Sequence, residues 1–388
     1  MGNTNSGSGS GCGSASATVT EAAPVPETVA APAATEAAQT VTAPKYVFLF
    51  IGDGMSYPQF QAASDYLGAL ADDDYEKALP STKYDTREGA VLDGPVALSF
   101  MNFPVAGSAV TYDSCSFAPD SASTATSIAT GKKTYSGMIN VDESGATPYE
   151  TIAEKLHAQK GWKVGVISSV NLNHATPAAF YAHQASRNSY YEIGEELVNS
   201  GFEYFAGGGE WALADYVAKG IEVLNNDTGF FMMCEGGKID WACHANDAGA
   251  TVNDTLALAD AVQVAVDFAK EHADETLFGL KLTGAEDDRL GLTEYEVQRL
   301  RTAYDLIMSD YNAADYTQEQ YVLYGGYNPF SVTVTHILNN KAGVDFTSYS
   351  HTGLPVAVFA DGNGAEEFGG YYDNTDIYNK LADLLEVK

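Results

Sequence analysis

Basic residues are scarce in this 388-residue chain, with 20 Lys and Arg against 52 Asp and Glu, a formal charge of −32. That balance argues against binding a nucleic-acid backbone, which needs clustered Lys and Arg. It also repels anionic substrates at long range, so a phosphate-handling site here needs a local positive source such as bound metal ions. Cysteine is rare as well. Cys12, Cys115, Cys234 and Cys243 are too few for a disulfide scaffold, but they permit one or two bridges in an oxidising compartment. Zinc ligation by Cys234, Cys243 and His244 is a further reading, set against their irregular spacing and the expected burial of Cys234 in a strand. No apolar run approaches the roughly 18 residues that span a bilayer, and the N-terminus lacks the apolar region of a signal peptide.

What is present divides in two. Residues 1–43 are Gly, Ser, Ala, Thr and Pro with scattered Glu, without the hydrophobic residues needed for a core, and read as a disordered tether. Ser-Gly-Ser-Gly-Cys12-Gly within it is similar to the tether of a bacterial lipoprotein, which points to a periplasmic or secreted, lipid-anchored protein. Residues 44–388 are long enough to bury a substantial core as one catalytic domain.

Within that domain, Lys45–Ile51 is a continuous apolar run ending in Gly52-Asp53-Gly54, the pattern of a strand buried on both faces. Trp162–Ser169, Gly229–Glu235 and Pro355–Asp361 repeat it, each closing on polar residues. Helical patterns run from Pro148 to Ala158, from Thr255 to Lys270 and from Thr375 to Leu385, and Thr293-Glu-Tyr-Glu296 is a capping box opening another helix. This alternation predicts an α/β fold, a doubly wound, mostly parallel sheet with helices on both faces and ligands at the carboxyl ends of the strands.

Ala118–Thr126 places Ser121 at a predicted loop-to-helix junction, where unpaired N–H groups and the positive helix end favour an oxyanion or a phosphoryl oxygen. Taken alone, the run reads first as an Asp or Ser cap before an alanine-rich helix. Asp53, Glu235, Asp240, His244 and His351 fall at or just beyond predicted strand ends, and Asp240 and His244 share one face of a helical turn at i, i+4. Carboxylates mixed with imidazoles suit Zn²⁺ and Mg²⁺.

Phe50–Met55, Asp120–Ala122, His174–His183, Glu235–Asp240 and Ser350–Gly353 resemble, in order, the motifs of the alkaline phosphatase family. The resemblance covers about residues 45–388 and implies hydrolysis of small phosphate monoesters at alkaline pH, with Zn²⁺ and Mg²⁺ as cofactors. By it Ser121 looks like the phosphoryl-accepting nucleophile and Arg187 like the guanidinium that clamps two phosphate oxygens. Asp240, His244 and His351 resemble the ligands of the activating zinc, and Asp53, Thr176 and Glu235 the magnesium-side ligands. His174 holds a position filled by aspartate or histidine in the family, directly or through water a ligand of a third metal. The implied mechanism is a two-step displacement through a phosphoserine intermediate, with metal in place of a general base. His157, His272 and His336 match no motif and read as surface or packing residues. The family is commonly dimeric, and nothing in this chain fixes its oligomeric state.

The chain departs from the pattern at the second zinc, which in the family depends on an Asp-His pair at the end of a buried strand. None of the seven histidines follows an aspartate. Glu275-Thr-Leu277 resembles the entry to that strand, and the residues after Leu277 resemble a later part of the fold. A second shortening falls around Gly207–Leu213. Glu286, Asp287 and Asp288 are the available substitute ligands. The alternative to a working phosphatase is therefore a catalytically impaired relative that binds metal or phosphate. A phosphodiesterase or sulfatase is disfavoured by the serine nucleophile.

Overall fold

A computed structural model describes residues 43–71, 93–209, 211–272, 292–309 and 315–388. The tether, Cys12, Glu275–Leu277 and Glu286, Asp287 and Asp288 lie outside these residues. The strands are β1 (Tyr46–Gly52), β2 (Val105–Val110), β3 (Lys163–Ser168), β4 (Tyr204–Gly207), β5 (Phe230–Gly236), β6 (Val356–Ala360) and β7 (Gly370–Asp373). The main sheet has the order β1-β5-β3-β4, and every pairing in it is parallel.

Both faces of this sheet are covered, as the continuous apolar runs require. In β5, Phe231 and Met233 face one core, with Val164 and Val166 of β3. That core is closed by Ala122, Ala125 and Ala129 of α2 (Ser121–Thr130) and by Ile377 and Leu381 of the final helix, Thr375–Leu384. Phe230, Met232 and Cys234 face the other core. There they meet Val217 and Leu224 of α3 (Leu213–Leu224), and Leu258, Val262 and Ala265 of α5 (Ala248–Glu271). The alternation along one strand thus sets helices on both sides. Two further helices matter to the site: α1 (Tyr57–Ala71), which follows β1, and α4 (Lys238–His244), which follows β5.

The expected helices form. Asp247 caps α5, and the Thr293/Glu296 box opens Glu294–Ile307. The Pro148–Ala158 pattern starts its helix at Ile152, behind a second capping box, Thr151/Glu154. Among the described residues the run Pro355–Asp361 differs in its partner. It becomes β6, paired antiparallel with β2 in a separate sheet of order β6-β2-β7. An apolar run reports burial, not which strand lies beside it. Strand β2 reads Val-Ala-Gly-Ser-Ala-Val, with no such run, and gives no signal in the sequence. No helix among the described residues is long and apolar enough to cross a membrane.

Candidate active site

Registers in the main sheet bring three strand ends together. Ile51 pairs with Glu235, Ser168 pairs with the same residue, and Gly52 pairs with Gly236. Asp53 therefore emerges beside Glu235 at the carboxyl edge, where open parallel sheets bind ligands.

Ser121 is the first residue of α2, and the cap is Asp120, whose carboxylate accepts from the Ser123 N–H at 3.1 Å. The two readings of this run thus coexist on adjacent residues. Asp120 closes the helix end, leaving the buried Ser121 hydroxyl to donate to Asp53 Oδ2 at 2.9 Å. Arg187 reaches the same place from the other side. One guanidinium nitrogen donates to Asp120 Oδ2 at 2.8 Å and the other lies 3.3 Å from His174 Nε2. Burial would raise the Asp120 carboxyl, but Arg187 and the N–H groups of Ser123 and Gly137 hold it below the usual range. The pairing orients the guanidinium before any ligand arrives.

The imidazoles converge on Asp240. His244 and His351 each place Nε2 3.4 Å from Asp240 Oδ1, and the two Nε2 atoms lie 3.1 Å apart. Each ring is fixed from behind: Nδ1 of His244 donates to the Tyr349 carbonyl at 2.8 Å, and Nδ1 of His351 to the Pro119 carbonyl at 2.6 Å. With the proton held on Nδ1, the Nε2 lone pair points inward in both, the tautomer that ligates a divalent cation. All three ligand atoms lie within 4.8 Å of one another, so these residues fit a metal.

The carboxylates call for the same charge. Burial pushes Glu235 up to about 8, with the Asp53 charge adding to it, while the hydroxyls of Ser168 and Thr176 favour the ionised form. Burial and the Asp240 charge push Asp53 up to about 6. Ser168 donates a short hydrogen bond to one oxygen of Glu235, and Oε1, the other, has no hydrogen-bond partner in its buried position. His174 Nδ1 is likewise buried without a partner. Crowded, buried acids with an unsatisfied oxygen favour a cation beside Asp53 and Glu235.

Gly54 shows how closely β1 approaches α4. Its φ is +64°, and a Cβ there would lie 2.8 Å from Asp240 Cα and 2.9 Å from Oδ1. Gly54→Ala is expected to cost about 1–3 kcal/mol and to displace Asp240. Urea unfolding and metal titration check this; unchanged stability with unchanged metal affinity would refute it.

The thiols take no part in these clusters. Cys234 belongs to the apolar core on the far face of the sheet, while Cys243 Sγ lies near Gln59, Thr251 and the Gly54 carbonyl. Cys115, Cys234 and Cys243 are all free, so no bridge joins cysteines among the described residues, and Cys234 is a buried thiol as its place in a strand implies. His157 lies 3.3 Å from Glu203, and His336 stacks on Tyr349. Asp120, Ser168 and the carbonyls of Pro119 and Tyr349 complete the site. Asp120 carried a signal as a helix cap and Ser168 as a polar residue closing an apolar strand, while the two carbonyls carried none.

A parallel sheet with helices on both faces, carrying these groups at its carboxyl edge, defines an α/β protein with a ligand site there. The chain belongs to the alkaline phosphatase family, whose sequence model, described as "Alkaline phosphatase", matches residues 44–204 and 208–387. It is 27% identical to "Alkaline phosphatase 4" of Bacillus subtilis (strain 168) over 356 residues, covering 69% of this chain and 77% of that protein. With "Alkaline phosphatase 3" of the same organism it shares 25% identity, covering 88% and 89%. That alignment runs over 442 residues, more than this whole chain holds, so the relative carries stretches with no counterpart here. The fold matches alkaline phosphatases from the Antarctic bacterium TAB5 (TM-score 0.60, 22% identity, 90% of this chain and 100% of that one) and from Thermus thermophilus (0.64, 18%, 89% and 92%).

Proposed function

We propose that this chain hydrolyses small phosphate monoesters at alkaline pH through a phosphoserine intermediate on Ser121, with Zn²⁺ and Mg²⁺ as cofactors. The observation that carries the reading is the hydrogen bond from Ser121 to Asp53 beside two imidazoles whose Nε2 atoms converge on Asp240. Asp240, His244 and His351 would hold one cation, and Asp53, Thr176 and Glu235 another, with His174 beside them. Bound there, the ions supply Lewis-acid charge that offsets the acidic surroundings and lowers the pKa of coordinated hydroxyls.

The chain's own groups do the rest. Arg187 donates to two oxygens of the phosphoryl group, its fork pre-aligned by Asp120. Ser121 Oγ gives up its proton and forms the bond to phosphorus as the ester oxygen leaves with the electron pair, and that proton, or one exchanged for it with solvent, ends on the departing alcohol. Water then attacks the phosphoserine, releasing phosphate and restoring the hydroxyl. The N-terminus of α2 faces the charge that develops. A second reading, weak turnover with phosphate or metal binding, is favoured by the missing Asp-His pair. The test is hydrolysis of a chromogenic phosphate monoester by protein loaded with both metals, with elemental analysis alongside. Turnover is expected; none above background, with metal bound, would leave the second reading in place. On the same reading the protein works in the periplasm or outside the cell, tethered through residues 1–43, and forms a dimer as its family commonly does.

A further inference from the structure

Two exposed aromatic side chains are linked to the cluster by ring contacts, Trp241 through His174 and Tyr327 through Tyr349, and neither has a part in the phosphoryl transfer itself. Trp241 follows Asp240 on α4, is 47% exposed and meets the His174 ring at 83°, centroids 5.9 Å apart. Tyr327 comes from a different part of the chain and is 39% exposed. Its ring lies 5.9 Å from that of Tyr349, whose carbonyl anchors His244. Burial, and after it the Asp240 charge, raise the Tyr327 hydroxyl. Phe117, two residues before the Pro119 carbonyl that holds His351, is 86% exposed.

The phosphoryl group needs none of these rings, because Arg187, Ser121 and the metal-binding groups account for its oxygens. Beyond the phosphoryl group lies the alcohol portion of the substrate. An exposed indole beside a polar centre offers a flat apolar face, which a planar ring can cover with a gain beyond simple area burial.

We propose that Trp241 and Tyr327 form a leaving-group subsite for the planar aromatic part of a phosphate monoester, so that aromatic alcohols are preferred to aliphatic ones. The inference rests on the phosphomonoesterase reading and extends it to substrate class. Trp241 lies next to a metal-binding residue in sequence and packs on His174, so the experiment must separate a substrate contact from a positioning role.

Two matched pairs do this on the metal-loaded full chain: benzyl phosphate against cyclohexylmethyl phosphate, and adenosine 5′-monophosphate against ribose 5-phosphate. Within each pair the scissile oxygen sits on the same kind of primary carbon, so the chemistry at phosphorus is equal. We expect kcat/KM to favour the aromatic member by about 10-fold, the scale of stacking on one aromatic side chain. The benzyl pair reports a subsite close to phosphorus, and the nucleotide pair one a sugar further away; preference in either supports the proposal. Trp241→Ala should bring that ratio to about 1, Trp241→Phe should keep most of it, and Tyr327→Leu should lower it in part. A wild-type ratio near 1 in both pairs overturns the proposal. So does a Trp241→Ala effect that lowers both members equally, which would mark a positioning residue for His174. Absence of turnover on all four compounds defeats the phosphatase reading instead, and the ratio of Kd values for the same pairs by calorimetry then reads the subsite separately. A Kd ratio near 1 overturns it.

Discussion

Ser121→Ala should lower kcat/KM for a phosphate monoester by on the order of 10³-fold or more, since a covalent nucleophile leaves no equivalent group behind. The geometry makes the substitution specific. The hydroxyl is buried at the first position of α2, and the helix cap is Asp120, so removing Oγ leaves the helix end closed. Asp53 loses a hydrogen bond that favours its ionised form, and its pKa should rise further above about 6. Stability is therefore expected to change far less than activity. Steady-state kinetics beside urea unfolding check both parts. Activity within 10-fold of the parent would show that phosphoryl transfer does not pass through Ser121.

Removing the metals should make the fold sensitive to pH in a particular direction. In the folded chain Glu235 is fully enclosed and titrates at about 8, against an ordinary value of 4.5. Between those limits the folded state keeps a proton that the unfolded chain releases. Stability of chelator-treated protein therefore falls as pH rises from about 5 to about 8, then levels off. Asp53, raised to about 6, adds a smaller loss at the acidic end, because the Ser121 hydrogen bond and the His351 and Arg187 charges favour its ionised form. The total loss amounts to several kcal/mol, a large share of the stability of an ordinary domain. Zn²⁺ and Mg²⁺ should restore it most strongly at the alkaline end, where both carboxylates are ionised. Glu235→Gln should flatten the slope without metal. Thermal unfolding across that pH range decides the matter: a metal-free protein equally stable at both ends would show that these acids are not held apart from cations as described.

The legible and illegible parts of the site differ by mechanism. Asp53 and Glu235 could be placed because each ends a continuous apolar run, and a run of that kind announces a strand buried on both faces. Asp240 and His244 could be paired because a four-residue spacing puts them on one helical face. The partner of β6 could not be read, since β2 carries small residues and no pattern. The Asp120–Arg187 pairing spans 67 positions and has no local sign. The burial expected of Cys234 was legible from its place in an apolar run: successive residues of a strand point to opposite faces, Cys234 into the apolar core and Glu235 toward the site.

By itself the sequence determined which residues stand at the carboxyl edge of the sheet, together with the family to which the chain belongs. Burial pattern and helical spacing are local properties, written within a few residues. Only the tertiary structure decided how those residues face one another. His244 and His351 meet across 107 positions, and the carbonyls that set their tautomers come from 105 and 232 positions away. Every residue carries a carbonyl, so no residue type marks the ones that matter. Their placement is a consequence of packing, as is the contact of Trp241 with the His174 ring.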